Sequence, residues 1–355
     1  MIILAIDTSC DDTCISVIKV KSQKLKVKSI RFEILSNIVS SQIKIHRKYG
    51  GVYPTLAKRE HKKNLLPVLK RALKKAKLFK TSKCQKPDID LIAVTIGPGL
   101  DPCLWMGVNF AKALSYFWQV PIIPVNHIEG HLLANLLSQI VFPAVCLVVS
   151  GGHTQLILMK KIGKYKIIGE TRDDAAGECF DKTARILGLD YPGGPSIAAE
   201  AAKLSTTHYK LQTKLPRPMI NSKDYDFSFS GLKTAVLYDF KKRSEKIRHS
   251  KKYIREMAKE IQQAIIDVLI KKTIKAAKDY KVKSIILGGG VAANKELRKQ
   301  FNYTLQTIHY SLNFLVPPKK LCTDNAAMIG IAGYFNRKKA SKDWIKIQVN
   351  ANLRI

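Results

Sequence analysis

One unit of sequence occurs twice in this chain, and it limits the fold more than any other feature. Residues 2–7 and 14–20 run apolar or alternate around the polar turn Asp7-Thr-Ser-Cys-Asp-Asp12, which predicts strand, turn and strand. The pattern returns at 143, as Ala144-Val-Cys-Leu-Val-Val149, the turn Ser150-Gly-Gly-His153, and Thr154-Gln-Leu-Ile-Leu-Met159. Alternating helical and strand patterns follow each copy. Two such units predict an α/β protein of two similar lobes with a cleft between them. The expected division is 1–120 plus 325–355 for the N-terminal lobe and 121–324 for the C-terminal lobe.

The connecting segments are read from their periodicity. Residues 60–78 place Leu65, Leu66, Val68, Leu69, Ala72, Leu73 and Ala76 at helical spacing, with Lys opposite. Asp90–Ile96 reads as a buried strand ending in Gly97-Pro-Gly99, residues 104–118 as a helix, and 121–125 as a short strand. Helices are expected from about 174 to 188, after the loop 190–195, over 258–280 and from Ala292, with a strand at 284–287. The Lys- and Arg-dense stretch 241–259 reads as a partly mobile segment. Asp324 occupies the expected N-cap of a helix over Ala326–Tyr334.

Charge narrows the partners. The 61 basic and 27 acidic residues leave a net charge of +34, which favours an anionic macromolecule such as nucleic acid. The basic residues are 48 Lys and 13 Arg, a skew that an AT-rich genome also imposes, so the total alone decides little. Its distribution decides more. Residues 44–86 hold 15 Lys or Arg against the single acid Glu60, where a solvated helix face would interleave signs. This segment, with Lys62, Lys63, Lys70 and Lys74, is expected to contact a phosphate backbone. No apolar run reaches the roughly 20 residues of a membrane helix. The seven cysteines are odd in number, scattered and without a Cys-x-x-Cys pair, as expected of a cytoplasmic protein.

The chemistry-bearing residues begin with His127 and His131, in Val125-Asn-His-Ile-Glu-Gly-His-Leu-Leu133. On a helix this spacing stacks two imidazoles on one face, roughly 6 Å apart at Cβ, close enough to grip one cation. Ile128 follows His127, so the Glu of a His-Glu-x-x-His protease is missing, and Glu129 projects about 160° from the pair. A third ligand must come from elsewhere, and Asp324 in Cys322-Thr-Asp-Asn-Ala326 suits it, as a ligand, a helix cap or both. The turns Ser150-Gly-Gly-His153, Pro192-Gly-Gly-Pro195 and Leu287-Gly-Gly-Gly290 offer backbone amides that an anion can approach closely. None matches a P-loop or Rossmann fingerprint. Asp174, Glu178 and Asp181 fall near one helix face, either solvated or holding ligand hydroxyls. Phe227-Ser-Phe-Ser-Gly-Leu-Lys-Thr234 is too polar for a core strand. A metalloprotease explains the His pair but not the Gly turns. A non-catalytic nucleotide-dependent scaffold and an actin-like ATPase or kinase stay open as well.

Taken together, Asp7-Thr-Ser-Cys-Asp-Asp-Thr13, Asn126-His-Ile-Glu-Gly-His-Leu132, Val149-Ser-Gly-Gly-His-Thr-Gln155, Asp173-Asp-Ala-Ala-Gly-Glu178, Phe180-Asp-Lys-Thr-Ala184, Leu189-Asp-Tyr-Pro-Gly-Gly-Pro195, Phe227-Ser-Phe-Ser-Gly-Leu-Lys233, Gly288-Gly-Gly-Val-Ala-Ala-Asn294 and Cys322-Thr-Asp-Asn-Ala-Ala327 resemble the tRNA threonylcarbamoyladenosine transferase family in its bacterial form. Its members once carried the name O-sialoglycoprotein endopeptidase. The resemblance runs from residue 1 to about 334. It implies the two-lobed α/β fold of the actin and sugar-kinase-like ATPase superfamily. It also implies transfer of a threonylcarbamoyl group from threonylcarbamoyl-AMP to the exocyclic amine of the adenosine 3′ of the anticodon, with release of AMP. Carried over by position, His127, His131 and Asp324 would hold one divalent metal, iron in the family pattern with zinc as the alternative. Val148, Val149, Ser150, Gly151, Gly152, Asp181, Gly194 and Asn294 would line the adenylate site. Implied partners are the tRNA anticodon arm, an inactive paralogue and a P-loop ATPase. The chain departs from the family pattern at Asp7 and Asp12, where Glu is usual, at Thr55, and in Leu100-Asp-Pro-Cys-Leu-Trp-Met106.

Overall fold

A computed structural model describes residues 1–22, 30–78, 86–137, 140–204, 214–307 and 312–355. The chain divides into two compact units, Met1–Ile45 with Val52–Gln139 and Thr323–Ile355, and His46–Gly51 with Ile140–Cys322.

The first unit is built on β1 (Ile2–Asp7), β2 (Asp12–Ser22), β3 (Ile30–Ser41), β4 (Leu91–Gly97) and β5 (Ile122–Asn126), in the order β3-β2-β1-β4-β5. β1 pairs antiparallel with β2 and parallel with β4, which places the turn 7–12 at the end of a central strand. After the single turn α1 (Ile43–His46), the helices α2 (Pro54–Lys75) and α3 (Asp101–Trp118) cover the sheet. Leu65, Val68, Leu69 and Leu73 of α2 and Val108 and Ala111 of α3 pack with Leu4, Ile6, Ile15 and Val17 in one core. This apolar stripe recurs every three to four residues, so burial of one face holds a helix whose other face is rich in Lys and Arg; Leu66, expected in the stripe, lies on the exposed face. The short helix α4 (His127–Leu133) continues from β5.

The second unit repeats the plan with β6 (Ala144–Val149), β7 (Thr154–Lys161), β8 (Lys164–Glu170), β9 (Ser284–Gly288) and β10 (Asn313–Leu315), in the order β10-β9-β6-β7-β8. β6 pairs antiparallel with β7 and parallel with β9, as β1 does with β2 and β4. Its helices are α5 (Ala176–Ile186), α6 (Gly193–Ala202), α7 (Ser230–Lys242), the short α8 (Glu245–Arg248), α9 (Lys251–Asp279) and α10 (Lys295–Thr307). The chain returns to the first unit with α11 (Ala326–Asn336), which packs on β1, β2 and α4. The repeated sequence unit is thus a repeated topology.

Two expectations are corrected, the lobe boundary and the cap of α11. The first unit extends to Gln139 rather than ending at 120, and it resumes at Thr323. The cause is β5, which hydrogen-bonds to β4 and carries α4 into the first unit. The stretch 241–259 holds the end of α7, α8 and the start of α9, which begins at Lys251 under a Ser250 cap that accepts from the Tyr253 amide. Asn325, not Asp324, caps α11, its side chain accepting from the Met328 amide. Asp324 is therefore released from the capping role. Of the basic segment 44–86, residues 79–85 lie outside the described residues. Among the described residues, no helix is long and apolar enough to cross a membrane.

Candidate active site

His127 and His131 meet Asp324, distant from them in sequence, within the first unit, with one candidate ligand atom from each lying within 4.8 Å of the others. The local reasons are legible. Asn126 ends β5 and caps α4, accepting from the amides of Ile128 and Glu129, so His127 and His131 stack one turn apart. Gly130 lies against Ile329 and Met328 of α11; a Cβ there would fall 2.9 Å from Ile329 Cδ1. The close approach of α4 to α11 brings Asp324, two residues before α11, onto the imidazoles. The Cys14 thiol on β2 donates to the Asp324 carbonyl at 3.5 Å. Glu129 points elsewhere, accepting from Asn336 Nδ2 at 2.8 Å.

The donor set fits a cation. His127 Nε2 and His131 Nε2 each lie 3.5 Å from Asp324 Oδ1. Two donors each about 2.1 Å from a tetrahedral ion would be about 3.4 Å apart. Among the described residues neither buried nitrogen of His131 has a hydrogen-bond partner, and a cation at Nε2 would relieve that one. Burial holds His131 below its ordinary pKa, despite Asp324, which favours the neutral ring that a metal would need. Burial also acts to lower His127, but Asp7 and Asp324 outweigh it and raise it to about 10. Burial opposes ionisation of Asp324, yet His127 and then His131 hold it well below the usual carboxylate range.

The turn after β1 is clamped from two helices. Thr8 donates to the Cys103 carbonyl at 2.8 Å and accepts from the Gly107 amide at 3.1 Å. Any Cβ at Gly107 would sit 2.3 Å from Thr8 Oγ1, so α3 needs glycine here. His61 of α2 is buried between the Thr13 hydroxyl, 2.8 Å from Nδ1, and the Cys10 carbonyl, 2.9 Å from Nε2. The second contact requires a protonated Nε2, leaving Nδ1 to accept. The unusual stretch 100–106 thus buttresses this turn. Asp12 is pushed up to about 7, by burial and then by Asp11.

In the second unit the expected adenylate residues gather around the ends of β6 and β9. Val148 and Val149 are buried, and the Ser150 amide donates to the His153 carbonyl at 2.8 Å. This turn opens strand β7 rather than a helix. Open space lies over Gly151 and Gly152, where a Cβ would meet nothing within 4 Å. The Gly177 amide near the start of α5 donates to the Ser150 carbonyl at 3.1 Å. Gly289, at φ +87°, passes so close to Val149 that a Cβ would lie 2.3 Å from its carbonyl oxygen. Asp181 accepts from the Gly193 amide at 2.6 Å, which ties α5 to the Gly193-Gly194 start of α6. Asn294 accepts from the Glu296 and Leu297 amides and so caps α10.

The three acids, Asp174 just before α5 and Glu178 and Asp181 on it, do not act as one face. Asp174 and Glu178 pair with Lys182, at 2.6 and 2.8 Å, while Asp181 turns to Gly193. Sequence reasoning missed Asp173. It accepts from the amides of Phe229 and Ser230 and from the hydroxyls of Ser228 and Ser230, fixing the polar run 227–234. Burial acts to raise Asp173, but these donors hold it below its ordinary pKa. It also missed Asp7 as a neighbour of His127, with Oδ2 3.4 Å from Nδ1. The only signals were polar side chains in short runs. On α2, Thr55, Lys58, Arg59 and Lys62 line, with Met106, a cavity of about 340 Å³. Lys62, Lys63, Lys70 and Lys74 are exposed, and Lys63 pairs with Glu60 at 2.6 Å.

Comparison with known proteins places this geometry. Residues 33–331 match the family model described as tRNA N6-adenosine threonylcarbamoyltransferase. A protein of that name from Thermosipho africanus (strain TCF52B) is 45% identical over 357 residues, covering 100% of both chains. One from Bacillus subtilis (strain 168) is 46% identical, covering 94% of this chain and 90% of its own. Among solved structures, the Acidaminococcus fermentans (R)-2-hydroxyglutaryl-CoA dehydratase component A aligns at TM-score 0.52 and 15% identity, covering 96% of this chain and 100% of that one. Full-length HypF in its phosphate- and nucleotide-bound form aligns at TM-score 0.56 and 12% identity, covering 95% of this chain and 55% of that one. At such identities these two show the fold alone, that of the actin and sugar-kinase-like ATPases. With most of its length matched by the family model and relatives this similar along the whole chain, the protein belongs to the tRNA N6-adenosine threonylcarbamoyltransferases, enzymes that modify tRNA.

Proposed function

We propose that the chain transfers threonylcarbamoyl from threonylcarbamoyl-AMP to the exocyclic amine of the adenosine 3′ of the anticodon, in tRNAs reading codons that begin with A, and that transfer depends on a metal. The observation that carries the metal dependence is the buried meeting of His127, His131 and Asp324. Two imidazoles and one carboxylate suit iron, with zinc as the alternative. When bound, such a cation supplies positive charge that orients a substrate and polarises its oxygen.

The adenine amine is a weak nucleophile because its lone pair is delocalised into the ring, so the acyl donor must be activated. A carbamoyl–phosphate mixed anhydride is. The bond from the carbamoyl carbon to the phosphate oxygen breaks, its electron pair leaving with AMP. The bond from that carbon to N6 forms, and N6 loses one proton. What remains for the protein is positioning and stabilisation of developing charge. The backbone of Val148–Gly152 would hold the adenylate phosphate over the open face of Gly151 and Gly152, with Asp181, Gly194 and Asn294 lining the nucleoside. The three-cation cavity on α2 would take phosphates of the anticodon arm. An inactive paralogue and a P-loop ATPase are the proposed accessory partners, and the cytoplasm the proposed location.

The test is mass analysis of tRNA nucleosides after incubation with donor and unmodified tRNA, beside a phosphate-release assay with ATP. Threonylcarbamoyladenosine without phosphate release is expected. Phosphate release without the modified nucleoside would favour an ATPase or kinase instead.

A further inference from the structure

His127 can present Nε2 to a cation only if its other nitrogen carries the proton, and an acceptor beside Nδ1 decides that. Two groups stand there. Asp7 Oδ2 is 3.4 Å from Nδ1, and Ser9 Oγ is 3.2 Å from it. They differ in what else they do. Asp7 is 1% exposed; its Oδ1 accepts from the Ser9 amide at 3.2 Å, whereas Oδ2 is buried with no hydrogen-bond partner among the described residues. A carboxylate oxygen stripped of water in this way costs free energy unless a positive or polarised group faces it. His127 is the group that Oδ2 faces. The Ser9 hydroxyl is neutral and can rotate to donate or accept.

We infer that Asp7 is the positioning residue for the metal site: its carboxylate fixes the His127 ring with Nδ1 protonated and Nε2 directed at Asp324. The inference rests on the metal reading of the triad. It accounts for the stiffness built around the turn, since Thr8 and His61 hold the backbone on either side of Ser9. It also assigns a purpose to a buried carboxylate at the end of β1. A carboxylate behind a ligating imidazole raises the basicity of that ligand, and its removal typically costs about 10- to 100-fold in metal affinity.

The test is competition for Zn²⁺ and for Fe²⁺ between a chromophoric chelator and the full-length, metal-stripped chain. Asp7→Ala is expected to weaken binding about 10- to 100-fold, and Asp7→Asn, which preserves shape if Ala disturbs folding, about tenfold. Ser9→Ala should change it less than about threefold, as befits a neutral neighbour. In a His127→Ala background, Asp7→Ala should add almost nothing, because a positioning residue acts through its ring. Nitrogen-15 spectra of the zinc-loaded wild type should show His127 protonated at Nδ1, a signature that a merely structural role would not set. Unchanged affinity in both Asp7 variants, or an equal loss with and without His127, overturns the inference while leaving the metal reading standing. A wild-type chain that takes up neither ion overturns both.

Discussion

The two units share one strand order and differ in the turn that follows their first strand. In the first unit that turn carries Asp7, Asp11 and Asp12, and it is pinned by Thr8 to α3 and by His61 to α2. In the second unit the equivalent turn is Ser150-Gly-Gly-His153, without an acid, and its glycines face open space. One topology has been furnished once with carboxylates beside imidazoles and once with bare backbone amides. The lesson is that scaffold fixes where a site can be, while turn composition fixes the sign of the charge it can hold.

The strongest way to break this comparison is at the triad. On the proposed metal reading, His131→Ala or Asp324→Ala should abolish metal uptake and lower transfer at least about a thousandfold, with the thermal transition little changed. Metal content and nucleoside analysis on the same samples check this. The glycines of the second unit sharpen it next. Gly289→Ala should cost about 2–4 kcal/mol in denaturant unfolding, from positive φ and a blocked approach to Val149. Gly151→Ala should stay within about 0.5 kcal/mol, whereas Gly151→Glu should fold yet lose adenylate affinity at least about tenfold. Equal stability costs at 151 and 289 would erase the distinction between an open turn and a packed one.

A graded effect comes from pH. His127 is raised to about 10 without metal, so near neutrality it is protonated, whereas a ligand must be neutral. Burial keeps His131 neutral and its neighbours keep Asp324 ionised. Metal binding should therefore release about one proton, and affinity should rise about tenfold per pH unit between pH 7 and 9, levelling towards 10. Calorimetry in two buffers of different ionisation enthalpy counts that proton. The smallest effect lies on α2. Lys62→Glu should weaken tRNA binding about threefold and flatten its salt dependence. Lys63→Glu should do less, since Glu60 already neutralises that side chain.

How far the sequence foretells all this depends on the range of the interactions. The repeated unit, the α2 stripe and the spacing of His127 and His131 are local patterns, and each appears in the structure. The lobe boundary is hidden because β5 belongs to its neighbour β4 through ladder bonds that no local window records. Asp324 suits a helix cap in sequence because Asp and Asn are equally good caps, and only the backbone shows that Asn325 has the role. Strands β3 and β8 escape a reading by pattern, since their registers shift at bulges and their faces carry charges that blur alternation. Asp7, Asp173 and His61 act across long separations in sequence, through contacts that composition cannot announce.

The most direct measurement is single-turnover transfer by the metal-stripped chain, before and after addition of one equivalent of Fe²⁺ or Zn²⁺. The account predicts that stripping removes modification of the tRNA adenosine, that one equivalent restores it, and that the His131→Ala chain is not restored. Full-rate transfer by the stripped chain would contradict it.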